Sequence, residues 1–216
     1  MAHPVAFVKG WLQSRISGIM RERQEAKNMT REELDGAIRA AAAAVDSLRS
    51  VAAEISRATE AVADTLKNGG KVLTAGNGGS AAEAMHLAEE LSGRYKHNRR
   101  ALPGLALCAD GTALTCIGND YGFDRVFARQ IEAFGKPGDA LVLFSTSGAS
   151  KNLTEAVAAA RAAGMKVIAL LGRGGGAMRG LADIEIIVPE TTGAHTQEAH
   201  QVVLHLILET VDAQFA

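Results

Sequence analysis

Apolar positions along the chain follow two periodicities. In residues 1–28, Phe7, Trp11, Leu12, Ile16 and Ile19 recur at helical spacing. They predict an amphipathic helix whose other positions carry Lys9, Arg15, Arg21, Arg23 and Lys27 against Glu22 and Glu25. Such a helix can pack on its own domain, on a neighbouring subunit or on a membrane surface, and the pattern alone does not choose. Thr30 and Glu33 give a T-x-x-E start signal for a second helix. It is expected to run to about residue 66, with Val45, Leu48, Val51, Ile55, Ala58 and Val62 on one face. Asn68, Gly69 and Gly70 end it.

Beyond residue 70 the pattern changes. Short continuous apolar runs at 71–75, 105–107, 140–145, 166–171 and 184–188 predict buried strands. Helical patterns at 80–92, 125–134, 152–163 and 196–214 lie between and after them. Buried strands alternating with helices predict an α/β fold with a parallel sheet covered on both faces. The expected division is an N-terminal helical extension, 1–28, and one domain, 29–216.

Composition narrows the function. The 23 Lys and Arg nearly balance the 24 Asp and Glu, for a net charge of −1. Nucleic-acid binders usually carry a basic excess, so no nucleic-acid partner is expected. Aromatic residues are only 4%, too few for base-stacking platforms. No run of 18 apolar residues or secretory signal is present, so no membrane partner is expected. Cys108 and Cys116 stand eight apart without a CxxC, which fits free thiols in a reducing cytoplasm.

In parallel sheets, ligands bind beyond the carboxyl ends of the strands. The first predicted strand runs into Gly76-Asn77-Gly78-Gly79-Ser80, and Ser80 with Glu83 forms an S-x-x-E box. This is neither the dinucleotide fingerprint nor a Walker loop. The strand at 140–145 runs into Ser145-Thr146-Ser147-Gly148-Ala149-Ser150 before a helix. Hydroxyls and backbone N–H groups at a helix N-terminus suit a phosphate monoester. His86 and Glu90 are four apart on one helix face. Gln197 and His205 are eight apart on the last helix, on roughly the same side. If those helices face one another, the four side chains can surround one ion, and N and O donors suit zinc, cobalt or nickel better than magnesium.

The runs A-G-N-G-G-S (75–80), M-H-L-A-E-E-L-S-G-R-Y (85–95), G-N-D-Y-G-F (118–123), S-T-S-G-A-S (145–150) and Q-E-A-H-x-x-x-x-H (197–205) resemble the phosphoheptose isomerases. These are a branch of the sugar isomerase (SIS) superfamily. The resemblance covers residues 30–216 in order and nothing before them. It implies a three-layer α/β/α sandwich with a five-stranded parallel sheet, and a homotetramer with active sites at subunit interfaces. It implies conversion of D-sedoheptulose 7-phosphate to D-glycero-D-manno-heptose 7-phosphate, toward ADP-heptose. By the same resemblance, Ser145, Thr146, Ser147 and Ser150 hold the phosphate. Asn77, Gly78, Gly79, Asn119 and Asp120 contact the sugar. His86, Glu90, Gln197 and His205 bind one zinc per subunit, with Gln197 and Glu90 also at the substrate. The chemistry needs a base for the carbon-bound proton and an acid for the oxygen proton of a cis-enediol, expected to be Glu90 and His205.

One run departs from the family pattern: His195-Thr196 stands where an Arg-containing run is common. Arg94 and Arg173 remain as cations. The rival expectation is a non-catalytic SIS-domain protein that binds a replication initiator or another partner. Retention of His86, Glu90, Gln197 and His205 favours the enzyme.

Overall fold

A computed structural model of the chain describes residues 28–189 and 192–216. The amphipathic helix expected over residues 1–28 lies, save for Asn28, outside the described residues. The chain divides into two compact units, residues 1–39 and residues 40–216. In the first, the predicted start signal forms. Thr30 N donates to Glu33 Oε2 at 2.7 Å and Glu33 N donates to Thr30 Oγ1 at 3.2 Å, opening helix α1 (Arg31–Asp46).

The single helix expected from residue 30 to 66 is interrupted. A 3-10 turn, Ser47–Val51, separates α1 from α2 (Ala52–Lys67). Ser47 Oγ donates to Ala44 O and Ser50 Oγ to Ser47 O, at 2.6 and 2.7 Å. Serine hydroxyls compete with the backbone for helical carbonyls, and alanine-rich periodicity does not reveal that competition.

The second unit then alternates strands with helices: β1 (Val72–Gly76), α3 (Gly79–Ser92), β2 (Gly104–Ala106), α4 (Gly111–Tyr121), α5 (Ala128–Phe134), β3 (Ala140–Ser145), α6 (Lys151–Ala162), β4 (Lys166–Leu171), β5 (Ile184–Ile187) and α7 (Gly193–Phe215). The five strands are all parallel, in the order β2-β1-β3-β4-β5. The expected sandwich is therefore present. Helix α4 is absent from the sequence reading. Asp110 caps it, accepting from Thr112 N and Ala113 N, but its body, GTALTCIGNDY, buries no residue. Only Leu114 and Ile117 pack against the core, and only partly buried, so its periodic signal is short and weak.

The central strands β1, β3 and β4 are buried on both sides, with alternate residues serving two cores, while the edge strands β2 and β5 are partly exposed. On one face Val72, Val142, Phe144, Ile168 and Leu170 pack against α2, α3 and α7 through Val62, Leu87, Leu91, Leu204 and Ile207. On the other, Leu73, Leu141, Leu143 and Val167 pack against α5 and α6 through Ile131, Leu153 and Val157. Each fully buried Leu or Val contributes on the order of 1.5–3 kcal/mol by leaving water. Thr74, in the middle of β1, donates its hydroxyl to Ala84 O at 2.7 Å and pins α3 to the sheet. Among the described residues, no helix is long and apolar enough to cross a membrane.

Candidate active site

Strand order places the site. β1 and β3 are neighbours, with Gly76 opposite Phe144 at their carboxyl ends. α3 leaves β1 toward one face and α6 leaves β3 toward the other. A crevice opens between them, as at the switch points of other open α/β sheets.

The two loops predicted to bind an anion meet there. Asn77, Ser80, Ser145, Thr146, Ser147 and Ser150, with Phe144, line a cavity of about 70 Å³. Ser145 Oγ accepts from Gly148 N at 3.0 Å and Ser147 Oγ from Ala149 N at 3.2 Å, so the loop wraps on its own hydroxyls. Ser150 stands at the N-cap of α6 but makes no side-chain capping bond. Asn77 and Asn152 exchange side-chain amide bonds at 2.9 Å in each direction, joining one loop to the other. Among the described residues, no charged side chain lines the cavity. Its donors are neutral, and the N-termini of α3 and α6 add positive dipole character.

Gly78 caps α3 at φ 58°. At Gly79, a methyl group would overlap the Gln197 side-chain amide. Glycine therefore lets α7 approach the first turn of α3. The S-x-x-E box expected at Ser80 does not form, because α3 begins earlier and Glu83 turns inward. Glu83 Oε2 lies 3.8 Å from His200 Nδ1, and both side chains are buried. That carboxylate oxygen and both ring nitrogens of His200 lack a hydrogen-bond partner.

Helices α3 and α7 run side by side in the same direction, with Gln197 over Gly79 and Gln201 over His86. His86 Nε2 faces Glu90 Oε1 at 3.6 Å and Glu89 Oε1 at 4.0 Å. The Gln201 amide nitrogen lies 2.8 Å from His86 Nδ1 and 3.1 Å from His205 Nε2. The two imidazoles meet edge to face at 5.5 Å, and Tyr95 stacks on His205 at 5.7 Å. Burial, then the neighbouring His86, pushes His205 below its ordinary value of 6.5, and Glu90 and Glu209 oppose this. A lowered value favours the neutral imidazole, the form that ligates metal. His86, Glu89 and Glu90 offer three donor atoms within 4.8 Å of one another.

Of the four expected ligands, His86 and Glu90 share a donor cluster with Glu89, and His205 lies beside His86 but outside that cluster. Gln197 stands apart, eight residues before His205 and so about 12 Å along the helix axis. Gln201 occupies the position between the rings. It lies four residues from both Gln197 and His205, and that spacing was available in the sequence. Glu89 and Asn152 have no role in the sequence pattern, and Ser80, expected there as a capping residue, lines the cavity instead. Asn119 and Asp120 sit exposed at the end of α4. Asn119 Nδ2 donates to Asp120 Oδ1 at 2.7 Å and Cys116 Sγ lies 3.7 Å from Asp120 Oδ2. Neither side chain bonds to the anion loop or to the histidine cluster. His195 pairs with Glu198 at 2.8 Å on the first turn of α7, and Arg94 and Arg173 are exposed.

Comparisons with known proteins bear on the fold and the family. The family model described as "SIS domain" matches residues 36–172. The phosphoheptose isomerase of Campylobacter concisus is 54% identical over 158 residues, 73% of this chain and 84% of that protein. That of Vibrio cholerae is 50% identical over 165 residues, 76% of this chain and 86% of the relative. The chain belongs to the phosphoheptose isomerase family. The structure of phosphoheptose isomerase from Neisseria gonorrhoeae matches with a TM-score of 0.80 at 40% identity, covering 84% of this chain and 98% of that one. The Francisella tularensis phosphoheptose isomerase gives 0.79 at 35% identity, covering 86% and 100%.

Proposed function

We propose that this chain is an aldose–ketose isomerase converting D-sedoheptulose 7-phosphate to D-glycero-D-manno-heptose 7-phosphate, the first step toward ADP-heptose. The observation that carries this reading is the pairing of a cavity lined by neutral donors with His86 and Glu90 on α3, which leaves that cavity, and His205 on the neighbouring α7. Ser80 lines the cavity and His86 follows six residues later, about 9 Å along α3. An extended seven-carbon sugar phosphate has that order of length between its phosphate and its carbonyl end.

The residues divide the work accordingly. Ser145, Thr146, Ser147 and Ser150 hold the phosphate at the α6 N-terminus. Asn77, Gly78, Gly79 and Gln197 face the sugar chain, with Asn119 and Asp120 completing the sugar contacts. The ketose carries its carbonyl at C2. Glu90 removes a proton from C1 and returns it to C2, while His205 moves the proton between O1 and O2 of the cis-enediol. The step is redox-neutral, so no electron carrier is needed. Nitrogen and carboxylate donors together fit zinc, with His86, Glu90 and His205 as ligands and Gln197 joining them by a side-chain or helix adjustment. When bound, zinc supplies Lewis-acid polarisation of the carbonyl.

A homotetramer with active sites at subunit interfaces fits an exposed apolar groove of about 940 Å³ lined by Val45, Leu48, Ile55, Val202 and Leu206. Cys108 and Cys116 are both free, consistent with a reducing cytoplasm. The reading is tested by incubating purified protein with sedoheptulose 7-phosphate and following the heptose 7-phosphate by NMR. Glu90→Gln is expected to retain the native melting temperature and lose turnover. Turnover by that variant close to wild type would remove Glu90 as the base.

A further inference from the structure

The loop after β4 packs directly on the anion loop, and it contains a residue in an unfavourable backbone conformation. Gly172 N donates to Ser145 O at 3.0 Å and Met178 N donates to Gly148 O at 2.9 Å. A methyl on Gly148 would run into the Gly175 carbonyl, and one on Gly176 into the Ser147 carbonyl. The two loops therefore touch backbone to backbone, and the second forms a wall of the first.

Within that wall, Gly175 N donates to Gly172 O at 2.9 Å, closing a tight turn over Arg173 and Gly174. Both central residues have positive φ, 47° and 68°. Turns of this hand prefer Gly, Asn or Asp at both central positions. Arg173 is the one non-glycine residue with positive φ among the described residues. A side chain held in the left-handed region by its surroundings marks a place to look for function. The turn that carries it packs on the loop whose cavity has no charged lining among the described residues, and the Arg173 side chain itself is exposed.

We propose that Arg173 is a specificity-determining residue, supplying the cation that selects a phosphate dianion at the neutral Ser145–Ser150 loop. This rests on the assignment of that loop to the phosphate under Proposed function. Neutral donors and helix dipoles bind an anion without requiring a full double charge. A guanidinium adds a charge-assisted, potentially two-pronged contact that rewards the dianion. The turn places this cation at the carboxyl end of β4, one strand from the β1–β3 crevice.

Three variants test it by titration with inorganic phosphate and by steady-state kinetics on the sugar phosphate. Arg173→Asn keeps a residue that tolerates positive φ and removes the charge. It is expected to weaken phosphate binding and raise KM about tenfold, the loss of one charge-assisted hydrogen bond, with kcat changed less than threefold. Its melting temperature is expected to equal or exceed that of wild type, since the strained residue is gone. Arg173→Lys is expected to recover most of the affinity. Ser147→Ala reports on the loop itself and is expected to weaken phosphate in its own right. Unchanged phosphate affinity in Arg173→Asn with loss in Ser147→Ala overturns the role of Arg173 and leaves the loop assignment standing. Unchanged affinity in both overturns the two together. A lower melting temperature in Arg173→Asn with phosphate affinity intact also overturns the proposal, because it makes the residue structural.

Discussion

Asp212→Ala should be among the most damaging single changes away from the reacting groups. Asp212 lies near the end of α7, where its side chain is 2% exposed, and it faces the Arg99 side chain, 0% exposed. Its Oδ2 accepts from Lys96 N and His97 N at 2.8 and 2.9 Å, and its Oδ1 from Arg99 Nε at 2.9 Å. Arg99 in turn donates to Leu91 O and Glu90 O at 2.9 and 2.7 Å. It thereby satisfies the last carbonyls of α3, the helix that carries His86 and Glu90. Truncation to alanine orphans two backbone N–H groups and leaves a buried guanidinium without its counter-ion. Breaking a buried pair from one side costs about 3–5 kcal/mol, and we expect about 4. At about 2–4 °C per kcal/mol for a chain of this size, the melting temperature should fall by about 8–16 °C. Urea denaturation at fixed protein concentration measures the loss. The network also predicts the acid limb. Burial raises the Asp212 value, but His97 N, Lys96 N and Arg99 outweigh it and hold the carboxyl below its ordinary 3.8. The folded value is depressed, so this stability is present in full above about pH 4 and is lost as pH falls through the lower folded value. Asp212→Ala should therefore lose stability less steeply than wild type below pH 4. A loss under about 1 kcal/mol at pH 7 would refute the reasoning, because it would mean that the network contributes little net stability.

Other expectations follow from the same packing. Gly79→Ala should leave the melting temperature within about 2 °C, since alanine is the better helix former, while turnover drops at least tenfold as the methyl displaces the Gln197 amide; a kinetic assay beside a thermal scan separates the two. His200→Phe should cost about 2–4 kcal/mol by leaving Glu83 alone in the core, and the double change His200→Phe/Glu83→Leu should recover at least half of that. Simple additivity in that double-mutant cycle would mean that the two side chains are not coupled. His86→Ala should reduce zinc bound per subunit, measured by elemental analysis, by more than tenfold at equal protein folding; full occupancy would place the ion elsewhere.

Much of the fold is legible in the sequence because its strands are unusually uniform. The run ALVLFS is apolar throughout until its last residue, and its shortness between Gly138 and the Ser-Gly loop marks it as a strand buried on both faces rather than a buried helix. The Ser145–Ser150 loop is legible as a cavity lining for a related reason: hydroxyls and glycine directly follow a buried strand. What escaped detection has weak or conflicting local signals. Helix α4 fully buries no residue and presents only Leu114 and Ile117 to the core, so its periodicity is faint. The break at Ser47 depends on hydroxyls that bond inward rather than on any loss of apolar spacing. Glu83 looks like a capping residue, yet tertiary packing turns it toward His200. Around His86, the i,i+4 spacing to Glu90 brings the two side chains together, and His205 reaches the same imidazole from α7. Gln201 between the two rings was overlooked because Gln197 satisfied the family motif one turn earlier. Which of two glutamines on one helix face reaches an ion depends on how α7 lies against Gly79, and that is a property of packing rather than of spacing.

The central claim is the reaction itself, and its most direct measurement is turnover of sedoheptulose 7-phosphate before and after chelation, with zinc then restored. The account predicts that D-glycero-D-manno-heptose 7-phosphate appears, that chelation to metal-free protein abolishes its formation, and that zinc brings it back. No heptose 7-phosphate from folded, zinc-loaded protein would contradict the account.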